Sequence, residues 1–291
     1  TTVSIIDSNI TDSVYGGGNE GEVSGNTSVS VSNPNIDSNS ESNPQVTNNI
    51  FGGGRSANVN GTTVTLSANA ITKNVYGGGD QGEVTESTNI KISNSSISNN
   101  VYGGGNGADN VGNDGKIPGK IGANTNTTIS QSTVTNVFGG GKGITAEVLG
   151  DTNVNLEEGA KISEDVYGGG DNGYVSGSTY VAFSSPTITR DAYAAGNGEK
   201  AVVYGDSHVY SEGTTTIGNN LYGGGNAAET GTNGTNDAVA TVDIAGLSIR
   251  GNVYGGANSS QINGSTIINI GNEAIDTYYG EEKGYEQSLS V

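Results

Sequence analysis

The chain has 291 residues, of which 50 are glycine and none is cysteine, and its formal net charge is -19 at pH 7. Val, Ile, Leu and Phe make up about a fifth of it, a composition close to that of disordered chains and poor for a conventional globular core. The acidic charge argues against nucleic acids and anionic membrane surfaces as partners, and the lack of cysteine excludes disulfides and thiolate metal sites.

In chain order, the first predicted element is a strand in which the apolar residues Val3 and Ile5 alternate with polar ones. A motif of an apolar residue, an aromatic residue and three glycines follows at Val14 and then recurs, in places altered, along the chain. Its aromatic residues are 25 to 36 positions apart: Tyr15, Phe51, Tyr76, Tyr102, Phe138, Tyr167, Tyr193, Tyr222 and Tyr254. A unit that recurs at this length predicts stacked repeats that bury one another's apolar residues.

Each unit contains three short apolar patterns. An aliphatic residue such as Ile71 stands five positions before the aromatic residue, and another such as Val84 stands eight positions after it. A third pattern follows, in which threonine and two aliphatic residues alternate with other residues, as in Thr62, Val64 and Leu66. Because alternation is the period of a β-strand and helix-forming residues are scarce, we predict an all-β, single-stranded parallel β-solenoid. It has about ten coils of about 25–36 residues, with three short strands per coil.

The longer units carry insertions at residues 32–45, 106–120 and 226–238, which are rich in the Gly, Asn, Pro and Ser of loops. We predict a solenoid domain over residues 1–274 and a decayed terminal repeat, cap or linker over residues 275–291, where Glu281 and Glu282 replace glycines. The sequence starts with a threonine inside a predicted strand and contains neither a signal-peptide pattern nor a run of 18 apolar residues. We therefore interpret it as a piece of a longer protein.

The glycine triplets permit bends with positive φ, close approach of two backbones, and space for a bulky neighbour. If Val75 faces the core, regular alternation places Tyr76 on the outside, where the motif rings form an aromatic ladder along the glycines. The opposite orientation, with Tyr76 packed inward in the space that the glycines leave, fits the sequence equally well.

The order of VYGGG, Asn or Asp, and Thr-x-Val-x-Ile resembles the glycine-rich repeats of large bacterial and archaeal proteins described as adhesin-like. The resemblance covers nearly the whole chain. It implies an extracellular or cell-wall-attached rod that is a monomer within a longer chain and either presents a surface or spans a distance. It provides no catalytic residue that can be transferred to this sequence.

Glycan binding along an exposed aromatic ladder is the first candidate function, because tyrosine offers a sugar both an apolar ring face and a hydroxyl group. The candidate residues are Tyr15, Tyr76, Tyr102, Tyr167, Tyr193, Tyr222 and Tyr254. The expected partner is a host or environmental glycan or another cell-surface molecule, with neither nucleic acid binding nor membrane insertion. Simple packing of the same rings is the structural alternative, and a spacer stalk would bind no ligand.

Calcium binding is a second possibility, because an acidic or amide residue usually follows the glycine triplet. The candidate ligands are Asp80, Glu83 and Asp171. A turn or an asparagine ladder explains the same positions, and two units have Arg55 or Lys142 there instead. The repeat is also much longer than the nine-residue repeat of calcium-binding β-rolls. We expect no cofactor, with calcium at one or two coils as the alternative.

A polysaccharide lyase or glycoside hydrolase is the alternative function, because many parallel β-solenoids have these activities. Such enzymes require placed carboxylates or a basic residue. The only histidine, His208, lies beside Asp206 on a predicted strand that points it outward into solvent. The most irregular polar cluster of the sequence contains Arg190, Asp191, Glu199 and Lys200.

Threonines that recur once per coil are also a feature of ice-binding solenoids. The set is Thr27, Thr62, Thr88, Thr127, Thr152, Thr179 and Thr266. Because they share the parity of the core Val and Ile residues, the pattern predicts that they face inward, away from water.

Overall fold

The computed structural model describes residues 1–32, 45–108, 118–232 and 237–271, and these residues contain strands and turns but no helix. Most of the first two predicted insertions, at residues 33–44 and 109–117, lies outside the described residues, whereas only residues 233–236 of the third insertion do. The predicted terminal segment 275–291 lies wholly outside them.

Within the described residues, one sheet has ten parallel strands, each contributed by a successive coil. Its strands are β1 (Thr2–Ile6), β3 (Thr27–Ser32), β5 (Thr62–Ser67), β7 (Thr88–Ser93), β9 (Thr125–Ser130), β11 (Thr152–Leu156), β14 (Thr179–Ser184), β17 (Ser207–Glu212), β20 (Ala238–Ile244) and β23 (Gly264–Ile270). We call it the first sheet.

The second sheet has thirteen strands in the described part of the chain and contains the motif aromatic residues. Its strands are β2 (Val14–Tyr15), β4 (Gln45–Phe51), β6 (Ile71–Tyr76), β8 (Ser96–Tyr102), β10 (Thr133–Phe138), β12 (Lys161–Ile162), β13 (Val166–Tyr167), β15 (Thr187–Ile188), β16 (Ala192–Tyr193), β18 (Thr215–Ile217), β19 (Leu221–Tyr222), β21 (Leu247–Ile249) and β22 (Val253–Tyr254). The predicted third strand is reduced to single bridged residues, as between Val59 and Val84. The chain is therefore a parallel β-solenoid of about nine turns, which confirms the predicted fold.

The core lies between the two sheets and is built from identical positions of successive coils. In β5 the side chains of Thr62, Val64 and Leu66 are buried, whereas the residues between them face outward. Val64 and Leu66 pack with the equivalent residues of the coils on either side, so apolar residues are buried by stacking. A continuous core therefore forms although Val, Ile, Leu and Phe make up only about a fifth of the chain.

In most coils, two corners use residues with left-handed backbone conformations, which Asn and Gly adopt more readily than other residues. One corner joins the first sheet to the second, and the other follows the glycine triplet. The residues with positive φ at these corners include Asn69, Asn94, Gln131, Ser185 and Gly213 at the first, and Gln81, Gly143, Asn172, Gly198 and Ala227 at the second.

One register assignment made from the sequence is wrong. Thr72, rather than Ile71, pairs with the core residues Val46 and Ile97, because the register of β6 shifts between Thr72 and Val75. Thr72 is 2% exposed, and its Oγ1 donates to the backbone carbonyl of Asn48 at 3.2 Å. A hydroxyl that bonds a nearby backbone carbonyl takes the aliphatic position in this coil.

Candidate functional site

The glycine triplets lie where successive coils approach each other most closely. A Cβ atom on Gly52 would be 2.3 Å from the carbonyl oxygen of Gly77, its equivalent one coil further on. A Cβ atom on Gly77 would be 2.1 Å from the carbonyl oxygen of Gly103. Since neither residue has a positive φ, the close approach of two backbones is the reason for glycine at this position.

In seven of the described coils, a buried hydroxyl from a threonine or, once, a serine donates to the carbonyl group at the first triplet position, which is occupied by Ala194 in the decayed motif. Thr62 Oγ1 donates to the Gly77 carbonyl and Thr88 Oγ1 to the Gly103 carbonyl, both at 2.6 Å. No backbone N–H of the described residues donates to these carbonyls, so the hydroxyl satisfies an otherwise unpaired buried acceptor. The donors are Thr27, Thr62, Thr88, Thr125, Thr152, Thr179 and Ser207.

The sequence assigned the wrong threonine to this position in one coil. Thr125 occupies it, whereas Thr127 pairs with Ile90 and Val154 in an apolar column of the core. The other recurring threonines face inward as predicted, except that Thr266 in the last described strand is exposed. The buried hydroxyls therefore do not form a regular surface array in contact with water.

The motif aromatic residues form one continuous stack. Successive ring centroids are 4.7–5.0 Å apart and the ring planes differ by 2–12°. The rings form a cluster separate from the core that contains Val75, yet Tyr76 is only 3% exposed. The predicted ladder exists, and its tyrosines point away from the main core while remaining buried.

The candidate tyrosines differ in exposure along the stack. The buried members are Tyr76, Tyr102, Tyr167, Tyr193 and Tyr222. Tyr15 is partly buried, and Tyr254, at the other end of the described stack, is 43% exposed. Because each internal ring has an aromatic neighbour on both faces, those faces contact protein.

Two columns of Asn and Asp side chains flank the rings. Before the aromatic residue, Asn136 Nδ2 donates to Asn100 Oδ1 at 3.1 Å, and Asn100 Nδ2 donates to the Tyr102 hydroxyl at 2.8 Å. After the glycines, Asn226 Nδ2 donates to Asn197 Oδ1 at 3.0 Å. These bonds run from coil to coil, so the position that suggested calcium ligands is largely an asparagine ladder.

Burial raises the pKa of the stacked tyrosines far above the ordinary value, and neighbouring carboxylates raise it further. The tyrosines concerned are Tyr76, Tyr102, Tyr167 and Tyr193. Their hydroxyl groups are therefore neutral at physiological pH, and they are not poised for proton transfer.

The candidate calcium ligands are engaged by different partners. Asp80 Oδ1 accepts a hydrogen bond from Asn106 Nδ2 at 2.8 Å, and Asp171 Oδ1 accepts one from Asn197 Nδ2 at 3.2 Å. Glu83 lies 3.8 Å from the Nζ of Lys120. In the described part of the chain, no group of three or more His, Asp or Glu side chains has a geometry that could hold a metal ion.

The polar cluster around Arg190 contains residues that the sequence did not suggest. Arg190 Nη2 lies 3.5 Å from Asp165 Oδ2, and Arg190 Nη1 lies 3.8 Å from Glu164 Oε2. Burial raises the pKa of Asp165, although hydrogen bonds and Arg190 act in the opposite direction. Asp165 could have been found from its position, because it stands two residues before Tyr167, where most other coils have asparagine.

The remaining members of the predicted cluster are Asp191, which bonds Asp165, and two surface residues. Asp191 follows Asp165 in the asparagine column and donates its backbone N–H to Asp165 Oδ1 at 2.9 Å, while its own Oδ1 accepts the backbone N–H of Asn220. Glu199 and Lys200 are exposed in a turn after the next glycine. The structure thus brings Asp191 and Arg190 to Asp165 and leaves the other two on the surface.

His208 is paired with Asp243 rather than with its sequence neighbour Asp206. His208 Nε2 and Asp243 Oδ2 are 2.7 Å apart, whereas Asp206 Oδ1 accepts the backbone N–H of Val239. The His208 side chain points outward but is only 16% exposed, so the expectation of a solvated residue is wrong. Burial alone would raise the pKa of Asp243, but hydrogen bonds from His208 and Asn269 outweigh it and lower the pKa. The sequence separation of 35 between the partners hid this pair from sequence analysis.

The fold places the chain among the parallel β-solenoids. No protein-family model matches it, and comparison with curated proteins and with solved structures found no match. Within the described residues, no helix is long and apolar enough to cross a lipid bilayer. What the chain does must therefore be inferred from its own geometry.

Proposed function

We propose that the chain is a rod segment of a secreted or cell-wall-attached surface protein and that it presents a side surface to a glycan or another cell-surface molecule. The observation that carries the proposal is the continuity of the stack: the aromatic ladder runs through nine successive coils without a break. A function that requires length and stiffness is favoured by such continuity.

Physical chemistry supports a stiff rod. At a strand spacing of about 4.8 Å, the ten strands of the first sheet extend over roughly 45 Å. Each coil is joined to the next by backbone hydrogen bonds, by stacked rings and by hydrogen bonds between side-chain amide groups. Bending the rod would stretch all of these on one side. The net charge of -19 favours a well-solvated surface and acts against self-association.

Glycan contact in this proposal falls mainly to residues outside the ladder. A sugar packs on an open face of an aromatic ring, and the faces of the internal ladder rings are covered by their neighbours. Of the ladder tyrosines, only Tyr254 is more than a third exposed. The motif tyrosines therefore contribute to binding at most at the two ends of the described stack.

A polysaccharide-active enzyme is the alternative function, and one observation favours it. Asp165 has a raised pKa and lies next to Asp191 in the same column, and glycoside hydrolases use a protonated and an ionised carboxyl group. Both Asp165 oxygens already have protein neighbours, namely the Asp191 N–H, Arg190 and Tyr167. This makes a structural role the simpler explanation. A spacer stalk without a ligand is the third alternative.

Two measurements on the purified chain test the proposal. Small-angle X-ray scattering should give the profile of a rod with a constant cross-section, and a globular profile would contradict the rod. Retention on a glycan and polysaccharide array, with calcium and with chelator, should show binding under at least one condition. Absence of retention under both conditions would leave only the spacer, and release of shortened sugar chains would favour the enzyme.

A further inference from the structure

Four described tyrosines lie outside the repeated motif, and all four belong to two adjacent coils. They are Tyr174, Tyr180, Tyr204 and Tyr210. The only histidine of the chain, His208, lies on the same two coils. In the preceding coils, the position equivalent to Tyr180 is occupied by Ser28, Thr63, Asn89, Asn126 and Asn153. The outer face of the first sheet therefore changes from small polar residues to aromatic ones at this point.

Strand register places three of these residues side by side on the outer face. Tyr180 of β14 pairs with His208 of β17, and their ring centroids are 6.4 Å apart in an edge-to-face arrangement. Ala182 pairs with Tyr210 in the same two strands. Because residues two apart on a strand share a face, the small side chain of Ala182 lies between Tyr180 and Tyr210. Because alanine is far smaller than tyrosine, this arrangement is expected to leave a shallow recess above Ala182, bordered by the two tyrosine rings.

Hydrogen bonds fix the polar groups at the edge of this recess. His208 Nε2 is bonded to Asp243 Oδ2, and Asp243, which is only 6% exposed, also accepts from Asn269 Nδ2 at 2.6 Å. Since Nε2 is engaged, Nδ1 is the ring nitrogen of His208 that can bond a ligand. On the other side, the Tyr210 hydroxyl donates to Glu212 Oε2 at 3.1 Å, which places an exposed carboxylate beside the ring.

We propose that Tyr180, His208 and Tyr210 form a binding subsite for an uncharged glycan. Sugar rings pack on the two tyrosines, and sugar hydroxyls bond to His208 Nδ1 and to the Glu212 carboxylate. The inference rests on the proposed function and gives its glycan-binding surface a location.

The surrounding charge selects an uncharged ligand. Glu212 and Asp206 are exposed near the recess, and the chain as a whole has a net charge of -19. Like charges repel, so a polyuronate or a sulfated polysaccharide would bind poorly. The aromatic faces provide the affinity for the apolar side of a neutral sugar ring.

A second aromatic pair on the same coils indicates that the ligand has several sugar units. Tyr174 and Tyr204 are packed edge to face with centroids 5.6 Å apart, and Tyr204 is 45% exposed. They precede β14 and β17 in the chain, across the corner that leads into the first sheet. Aromatic surface on both sides of one corner suits an oligosaccharide better than a single sugar.

The test uses the whole chain and defined probes: hexamers of β-1,4-linked N-acetylglucosamine, β-1,3-linked glucose and α-1,6-linked mannose, with a polyuronate hexamer as the anionic probe. We expect the parent to bind at least one uncharged hexamer more tightly than the polyuronate. The double variant Tyr180→Ala/Tyr210→Ala should bind that hexamer at least tenfold more weakly. Thr63→Ala, at the position equivalent to Tyr180 four coils earlier in the first sheet, should bind as the parent does.

A second readout does not depend on how well the variants fold. His208 is the only histidine, so its imidazole signals in a proton NMR spectrum report on this site alone. We expect these signals to shift in a saturable way when the bound hexamer is added to the parent.

Four results would overturn the inference. Unchanged binding by the double variant, or unshifted His208 signals during binding, would place the glycan elsewhere and leave the proposed function intact. Binding of the polyuronate and of none of the uncharged hexamers would show that the proposed ligand class, an uncharged glycan, is wrong. Binding of no probe, with no retention on the glycan array, would remove the glycan-binding part of the proposed function as well, while scattering would still decide the rod.

Discussion

The motif tyrosines and the outer tyrosines are the same residue type in opposite physical situations. Tyr102 has an aromatic equivalent in the coil on either side, and these neighbours cover both of its ring faces. Tyr204 has no such repeat, and it is 45% exposed. In a stacked repeat, a residue that recurs at the same place in each coil is covered by its own equivalents, whereas a residue that departs from the pattern keeps a surface for other molecules. Regular positions therefore hold the rod together, and irregular positions are the places to look for binding.

The largest expected effect comes from removing one ring from each group. Tyr102→Ala should lower the free energy of unfolding by about 3–5 kcal/mol, because it leaves a cavity in a buried stack. Tyr180→Ala should lower it by less than about 1 kcal/mol, because the ring is only partly buried. Urea denaturation followed by circular dichroism measures both, and equal losses would contradict the distinction.

Glycine-to-alanine substitutions should have different effects on stability where two coils are in close contact and where the glycine lies at an open surface. A Cβ atom on Gly104 would lie 2.7 Å from the backbone nitrogen of Gly141, so Gly104→Ala should cost about 1–3 kcal/mol of stability. Gly25→Ala is the matched control, because nothing lies within 4 Å of its Cβ position. Its melting temperature should equal that of the parent or exceed it slightly.

The chain already contains a version of this substitution. Ala195 stands at the position equivalent to Gly104, and its N–H bond to the Gly224 carbonyl is 3.4 Å long, compared with 3.1 Å from Gly104 to Gly140. One coil thus accommodates the methyl group by loosening the contact. An unaltered melting temperature of the Gly104→Ala variant would mean that the other coils loosen just as readily.

Removing a hydroxyl group tests the hydrogen bond between the buried threonine and the carbonyl group of the first triplet glycine. Thr88→Val keeps the shape of the side chain but leaves the Gly103 carbonyl without a donor, so stability should fall by about 1–2 kcal/mol. Thr63→Val removes an exposed hydroxyl and should change stability by less than about 0.5 kcal/mol. Thermal unfolding of the two variants gives the comparison, and a similar change in both would argue against the role of this bond.

The smallest expected effect concerns the column of Asn and Asp beside the ladder. Because burial raises the pKa of Asp165, its ionised form is disfavoured in the folded state, and wild-type stability falls as pH rises through that pKa. Asp165→Asn restores the usual residue and should stabilise the rod by roughly 1 kcal/mol at pH 7.5. The substitution also removes the ion pair with Arg190, but this pair contributes little to stability because the Arg190 side chain is half exposed.

Its pH dependence distinguishes this explanation from a simple packing effect. The advantage of the Asp165→Asn variant should disappear as pH falls below the pKa of Asp165, because the wild-type carboxyl is then protonated and neutral. Melting temperatures measured between pH 3 and pH 8 would show this. An advantage that does not change with pH would refute the role of ionisation.

The sequence predicted the fold because the recurrence of VYGGG and the alternation in strands such as β5 are local patterns with a fixed period. The same patterns placed the recurring threonines inward and the motif rings in one ladder. Sequence reasoning failed where the register shifts by one residue, as at Thr72, because a shift of one is invisible in a repeat of variable length. It also could not choose an orientation for Tyr76, because alternation assigns a face and does not show what covers that face.

The sequence by itself determined the period of the chain, the all-β architecture and the positions that stack. Only the tertiary structure decided which residues meet: Thr88 with the Gly103 carbonyl at a sequence separation of 15, and His208 with Asp243 at a separation of 35. The physical reason is that hydrogen bonds depend on distances of about 3 Å between atoms far apart in sequence. Coiling and stacking bring residues about half a coil or one coil apart in sequence to such a distance, and the exact coil length and register set the partner.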